Sequence, residues 1–403
     1  MLPRTLLLNL GPILSTTHAF TLLVSSYNAP NDTLGSVQTL VGDDCTGDLN
    51  LTSSNQECGA LPSWLELSAD RSTVTCVNEA DPGSLTLFNI NDSGEVKKIS
   101  NTSALGGPVS AAYYNNGTGL AIAHFTPPSI STFNLLPNST LQPLQTFTFN
   151  LSSIDPERQT TSHVHQALLD PSGQYLLFPD LGADRVHVYC VDSTTNKLEE
   201  KQPLLSKQGY GPRHAVFWTA KEGYGAGNAT GEENKVYLFV VHELSNKIVS
   251  YSVTYTPTGD LAFEEVDEVS TFGNQTTPPK AAAAEIVISP DESFLLASNR
   301  LAPIFSLPNP DANNSTLLPS DSLVTFKPAR DGKLEFVNLA PSGGLTPRHF
   351  SLNKDGTMVA VANQLDGTVV VYARDVETGV IGEEVAAARG LLGGLTNVQW
   401  LKE

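Results

Sequence analysis

His163–Tyr189 reads HVHQALLDPSGQYLLFPDLGADRVHVY. Three apolar runs, ALL, YLLF and VHVY, are separated by two polar turns, DPSG and DLGAD. Short runs of Leu, Val, Phe and Tyr bounded by Asp, Gly, Pro and Ser mark antiparallel strands joined by tight turns. No helical spacing of apolar residues runs through the stretch.

The same pattern recurs on both sides. Leu65–Ile90 reads LELSADRSTVTCVNEADPGSLTLFNI, Glu285–Asn299 reads EIVISPDESFLLASN, and Phe350–Tyr372 reads FSLNKDGTMVAVANQLDGTVVVY. Weaker copies fit Val109–Leu135 and Arg213–Val253. The spacing is about 45 to 70 residues, stretched where Glu222–Asn234 and Leu307–Ser320 insert Gly, Asn and Pro. Six internal copies leave two unmatched strands, Phe20–Tyr27 (FTLLVSSY) and Thr396–Leu401 (TNVQWL). Joining them in one sheet makes a seventh copy and removes two exposed edges. The expected fold is therefore all-β: a seven-bladed β-propeller of four-stranded antiparallel blades, closed by the N- and C-terminal strands. It forms one domain over residues 20–403.

Composition narrows the partners. The 403 residues carry 42 Asp and Glu against 23 Lys and Arg, a net charge of −19 at pH 7. That balance excludes phosphate-neutralising contact with nucleic acid and docking on an anionic membrane. Only 16% of residues are charged and 40% are apolar, so the chain can fill a large core.

Met1–Ala19 (MLPRTLLLNLGPILSTTHA) has one Arg before an apolar stretch and ends in Thr17-His18-Ala19, which is read as a secretory signal peptide. Eleven Asn-X-Ser/Thr sites accompany it: Asn31, Asn50, Asn91, Asn101, Asn116, Asn138, Asn150, Asn228, Asn274, Asn313 and Asn314. The expectation is a secreted, N-glycosylated protein, in solution or in a cell wall. Of four cysteines, Cys45 and Cys58 lie in a polar segment and are taken as the disulfide pair; Cys76 and Cys190, in strand patterns, are taken as buried free thiols. No spacing of Cys and His suggests a zinc site, and Asp43-Asp44 reads as a solvated loop.

Three stretches carry a resemblance: His163–Tyr189, Gly211–Trp218 (GPRHAVFW) and Thr346–Ala373 (TPRHFSLNKDGTMVAVANQLDGTVVVYA). Together they resemble the seven-bladed propeller lactonase family, which includes propeller-type 6-phosphogluconolactonases and fungal carboxy-cis,cis-muconate cyclases. The fungal cyclase branch is the nearer match. The resemblance implies a site at one end of the central channel, built from a His, two Args and a Glu. Here these fall on His165, Arg213 (in GPRH), Glu243 (in VVHELSN) and Arg300 (after LLASN). It implies no organic cofactor and no metal.

The four residue types make chemical sense together. Two Args form a local positive pocket that grips a carboxylate or steadies an oxyanion. His165 can exchange a proton near neutral pH. Glu243 serves as a second acid or base, or holds an Arg in place. Two reactions fit: hydrolysis of an anionic lactone, and cyclisation of a carboxymuconate with proton delivery to carbon. Both proceed by ring opening or closing without a cofactor. His163 lies two residues from His165, hence on the same side of a strand, and joins Arg348 and His349 as a candidate substrate contact.

Plainer roles compete. Arg213 and Arg348 both occur in PRH at a blade start, and the Arg348-His349 pair is read as the structural copy. Asp180 and Asp184 read as turn formers. Trp64, Trp218 and Trp400 read as packing between blades. The alternative to an enzyme is a non-catalytic secreted or wall glycoprotein that uses the propeller as a binding platform.

Overall fold

The computed structural model describes residues 19–220 and 235–402. The leader up to His18, the inserted segment 222–234 and Asn228 lie outside the described residues. Those described contain strands, turns and bends but no α-helix.

Seven blades form the ring. The innermost strands of blades 1, 2, 4, 5 and 6 are Pro62–Leu67, Pro108–Tyr114, Pro212–Ala220, Ala282–Ile288 and Pro347–Leu352. Blade 3 has only Leu168–Leu169 there, extended by a Val164–Asp180 bridge. Blade 7 is made from both ends: Leu395–Lys402 pairs antiparallel with Ala19–Ser26, with Leu22 opposite Trp400 and Val24 opposite Val398. Blades 6 and 7 touch edge to edge through one parallel bridge, Asp48–Ala387. Blade 5 carries an inserted hairpin, Phe305–Leu307 with Leu318–Ser320, between its second and third strands.

Strand alternation explains why blades stack. In Tyr175–Asp180, Leu176 and Phe178 pack toward blade 2, while Tyr175 and Leu177 pack toward blade 4. Both faces of the inner strands are buried, so these read as nearly continuous apolar runs, while the outermost strands are largely exposed. Seven apolar clusters result, one between each pair of neighbouring blades. Trp218 and Trp400 sit in two of them.

The motif PDLGADR proves to be a turn with demanding geometry. The Asp180 carboxylate accepts from the backbone N–H of His163 (2.7 Å), Gly182 (3.1 Å) and Ala183 (3.1 Å), and from His187 Nε2 (3.0 Å). A Cβ at residue 182 would lie 1.8 Å from the Thr161 carbonyl oxygen, so only glycine fits. Asp184 accepts from the N–H of Gly209 and Gly211, both at 2.7 Å.

The cysteine expectation is corrected. The disulfide joins Cys58 to Cys76, with Cα atoms 6.0 Å apart, and Cys45 is exposed and unpaired. Cys58 lies on the path from blade 7 into blade 1, buried against the strand Thr73–Asn78 that carries Cys76. Cys45 sits in the turn between Ser36–Asp43 and Asp48–Asn55, at the other end of its strand. Nearness in sequence misled; strand pairing decided.

Candidate active site

Each innermost strand begins at the same end of the channel, and four of them begin with proline. That edge faces the channel, so the missing N–H costs no ladder bond. The next residue is a bulge: the register shifts between Pro62 and Trp64, Pro108 and Ser110, Pro212 and His214, and Pro347 and His349. Blade 5 shifts between Ala283 and Ile286, and blade 7 between Ser25 and Ser26, across Thr396. A bulge re-aims side chains and breaks strict alternation. Adjacent residues can then both face the channel, as Arg213 and His214 do, and Arg348 and His349.

These residues meet in a small cavity of about 10 Å³, room for about one water. Its lining is Ser63, Trp64, Val109, His165, Arg213, His214, Glu285, Arg348, His349 and Thr396. Trp64 packs against the apolar cluster between blades 1 and 2, as the sequence suggested, and it also lines this cavity. Its ring sets its edge against His214 from blade 4 (5.7 Å) and His349 from blade 6 (5.2 Å), across the channel.

Above this floor lies an arginine cluster. The Glu243 carboxylate, in the turn after Lys235–His242, meets three guanidinium groups. Arg300 Nη2 donates to Oε2 at 2.7 Å, and Arg158 Nη2 donates to Oε1. Arg213 Nε lies 3.1 Å from Oε2 at an angle too poor for a hydrogen bond, so that contact is ionic. Arg213 Nη1 donates to the Ala284 carbonyl at 2.7 Å. Side-chain exposure rises from 2% at Arg213 through 12% at Arg300 to 46% at Arg158, so the three descend from mouth to floor. Arg348 lies over the Tyr27 ring and 3.5 Å from Glu79.

Burial would raise the Glu243 carboxyl, but Arg300, Arg213 and Arg158 outweigh it and hold it at about 2. Burial, then the charge of Arg300, lowers Arg213 to about 9, which leaves it charged at neutral pH. Arg158, Arg213, Arg300 and Arg348 outnumber Glu79, Glu243 and Glu285 by one, so the site is locally positive in a chain of net −19.

Beside the arginines runs a chain of buried side chains. His165 Nδ1 lies 3.1 Å from His214 Nε2, and His214 Nδ1 lies 2.8 Å from Glu285 Oε1. His349 Nε2 approaches Glu285 Oε2 at 3.6 Å. Burial first, and then Arg213, push His165 well below the ordinary imidazole range. Burial also lowers His214, and takes His349 to about 4, against the pull of Glu285. Burial would raise Glu285, yet His214 and His349 hold it at about 2.

The structure thus brings His165, Arg213, Glu243, Arg300, Arg348 and His349 together. His163 stays outside the cavity: its ring stacks on Phe125 at 4.1 Å and its Nδ1 lies 3.0 Å from the Phe125 carbonyl oxygen. Both histidines of HVH touch Phe125, but only His165 reaches the floor. Sequence reading missed Arg158, His214 and Glu285. His214 was visible in GPRH; Arg158 had no signal beyond a long connection before HVH. Asp43, Asp44 and Cys45 cluster within 4.8 Å in an exposed turn at the far end of the propeller.

A family model described as "Lactonase, 7-bladed beta-propeller" matches residues 21–391. The chain belongs to the seven-bladed β-propeller lactonase family. Among lactonase-family relatives, a protein of Arthroderma benhamiae named "Probable 6-phosphogluconolactonase" is 29% identical over 351 residues, 86% of this chain and 82% of that one. The 6-phosphogluconolactonase of Formosa agariphila is 30% identical over 327 residues, 79% of this chain and 82% of the relative. The Pseudomonas aeruginosa periplasmic gluconolactonase shares the fold, with a TM-score of 0.75 at 23% identity over 95% of this chain and 99% of its own.

Proposed function

We propose that this lactonase-type propeller hydrolyses a lactone bearing an anionic group, at the floor of the channel. One observation carries the reading: a neutral imidazole, His165, shares a one-water cavity with the guanidinium groups of Arg213 and Arg348. His165 takes a proton from water as the water attacks the ring carbonyl. The developing oxyanion forms beside the guanidinium groups, whose remaining N–H donors are preorganised in a buried site. The ring C–O bond then breaks, and the alkoxide leaves with the proton that His165 had taken. The anionic group of the substrate binds toward Arg300 and Arg158. Glu243 spreads these guanidinium groups and holds them in place.

The same electrostatics favour hydrolysis over muconate cyclisation. Cyclisation must deliver a proton to carbon, and neither His165 nor Glu243 holds one at neutral pH. The relatives' names point to sugar-acid lactones as the class to try first.

Export completes the proposal. A disulfide between Cys58 and Cys76 suits an oxidising compartment. The ten sequon asparagines within the described residues are all exposed, which suits glycan addition.

The test is turnover of 6-phosphogluconolactone, glucono-δ-lactone and carboxymuconate by the secreted protein. His165→Ala should lower lactone turnover by about 10²-fold or more, while carboxymuconate is untouched. A folded wild type that turns over none of the three would transfer the reading to a glycoprotein binding platform.

A further inference from the structure

We infer that His214 and Glu285 are positioning residues that fix the tautomer of His165 and take over its positive charge when it accepts a proton. The inference rests on the reading of the channel floor as a hydrolytic site.

Fixed partners set every proton in the chain. The Glu285 carboxylate can only accept, so His214 Nδ1, at 2.8 Å, carries a hydrogen. A neutral His214 then offers a lone pair at Nε2. His165 Nδ1, 3.1 Å away, must donate to it. That leaves the lone pair of His165 on Nε2, the nitrogen a base needs. His349 is fixed from its other side: its Nδ1 accepts the Val398 N–H at 3.3 Å, so its hydrogen sits on Nε2, toward Glu285.

The arrangement solves an electrostatic problem. Arg213, Arg348 and Arg300 all face His165, and an imidazolium there would be repelled by each. His214 has Glu285 directly against it at 2.8 Å, a carboxylate that opposes the charges of Arg213 and Arg348. When His165 takes a proton at Nε2, its Nδ1 hydrogen can pass to His214 Nε2. His165 is then neutral again, and the charge rests on His214 against the carboxylate. One proton enters at one end, one moves along, and Glu285 stays ionised. Trp64 packs against His214 and His349, and the direct 2.8 Å contact to Glu285 leaves no gap for water at His214 Nδ1.

Imidazole ¹⁵N spectra of the whole protein, titrated from pH 8 toward pH 4, test this without any substrate. The expected signature is His165 protonated on Nδ1 at high pH and, as the first proton enters, switching to Nε2–H while His214 gains both hydrogens. His165 found on Nε2–H at high pH, or turning into an imidazolium itself, would overturn the inference. In activity, Glu285→Gln keeps the shape and removes the charge. It should lower kcat about 10²-fold and move the acidic limb of the pH profile to lower pH, with KM little changed. His214→Phe, packed on Trp64, should lose the tautomer preference of His165 altogether. A Glu285→Gln enzyme with wild-type kcat and pH limb would also refute the relay. A wild type inactive on every lactone sinks the hydrolytic reading instead, and the spectra then decide the proton chain by themselves.

Discussion

Glu243 shares its two oxygens among three guanidinium groups, and that count fixes what its removal would do. Glu243→Ala leaves the buried Arg213 beside the half-buried Arg300 with their shared counter-charge gone. Breaking such a buried pair from one side costs about 3–5 kcal/mol, so urea unfolding should move by that much and the anion site should collapse with it. A second residue carries strain. Thr346 holds φ at 62°, a left-handed conformation that is uncommon for a β-branched side chain. Its N–H is tied to Asp321 at 2.7 Å, and it sets the entry of Pro347-Arg348. Gly211 takes φ 63° at the same place before Pro212-Arg213. Thr346→Gly should raise stability by about 1 kcal/mol, measured as a higher urea midpoint with the m-value unchanged. At this scale the sequence was readable in part. His165, Arg213, Glu243 and Arg300 were named through the family resemblance. His214 was passed over because the resemblance carried only the Arg of GPRH; the bulge at Arg213 turns its neighbour to the channel as well. Glu285 went unremarked at the head of an apolar run, where a bulge between Ala283 and Ile286 re-aims it.

Elements were more legible than residues, because strands announce themselves by apolar runs and turns by Asp, Gly and Pro. Every repeat located in the sequence coincides with a blade, and the two terminal strands pair as expected. The inserted hairpin of blade 5 was seen only as a Pro- and Asn-rich interruption, since its strands are three residues each. The disulfide was misassigned, since the pairing depends on which strand Cys58 passes, and spacing along the chain does not report that. It spans 18 residues between blade 7 and blade 1. Cys58→Ser should lower stability by about 3 kcal/mol, and peptide mapping should find Cys45 alkylated without reduction. A Cys45–Cys58 cross-linked peptide would contradict the pairing described.

The whole molecule buries imidazoles on a scale that makes it acid-sensitive. His124, His242 and His349 are each taken to about 4 by burial, from an ordinary value of 6.5. Between those values these three imidazoles bind about three more protons in the unfolded chain than in the folded one. Their contribution to stability is therefore complete above about 6.5 and falls as pH drops toward 4. Glu243 and Glu285, held at about 2, add a second loss: their contribution is present above the usual carboxylate value of 4.5 and disappears as pH falls through 2. Thermal midpoints should decline steadily from pH 7 to pH 4 and more steeply below; a level midpoint down to pH 4 would contradict the buried neutral histidines.

Pairing of Ala19–Ser26 with Leu395–Lys402 also imposes an order in time. A ribosome makes one of these strands before blades 1 to 6 and the other after them. The early strand keeps an unpaired edge while those six blades are made, exposed to any other strand that comes by. Blades 1 to 6 can be laid down one after another, each on its predecessor. Thr396 reaches the channel floor only with the last segment. The pocket is complete only once this closing strand is in place.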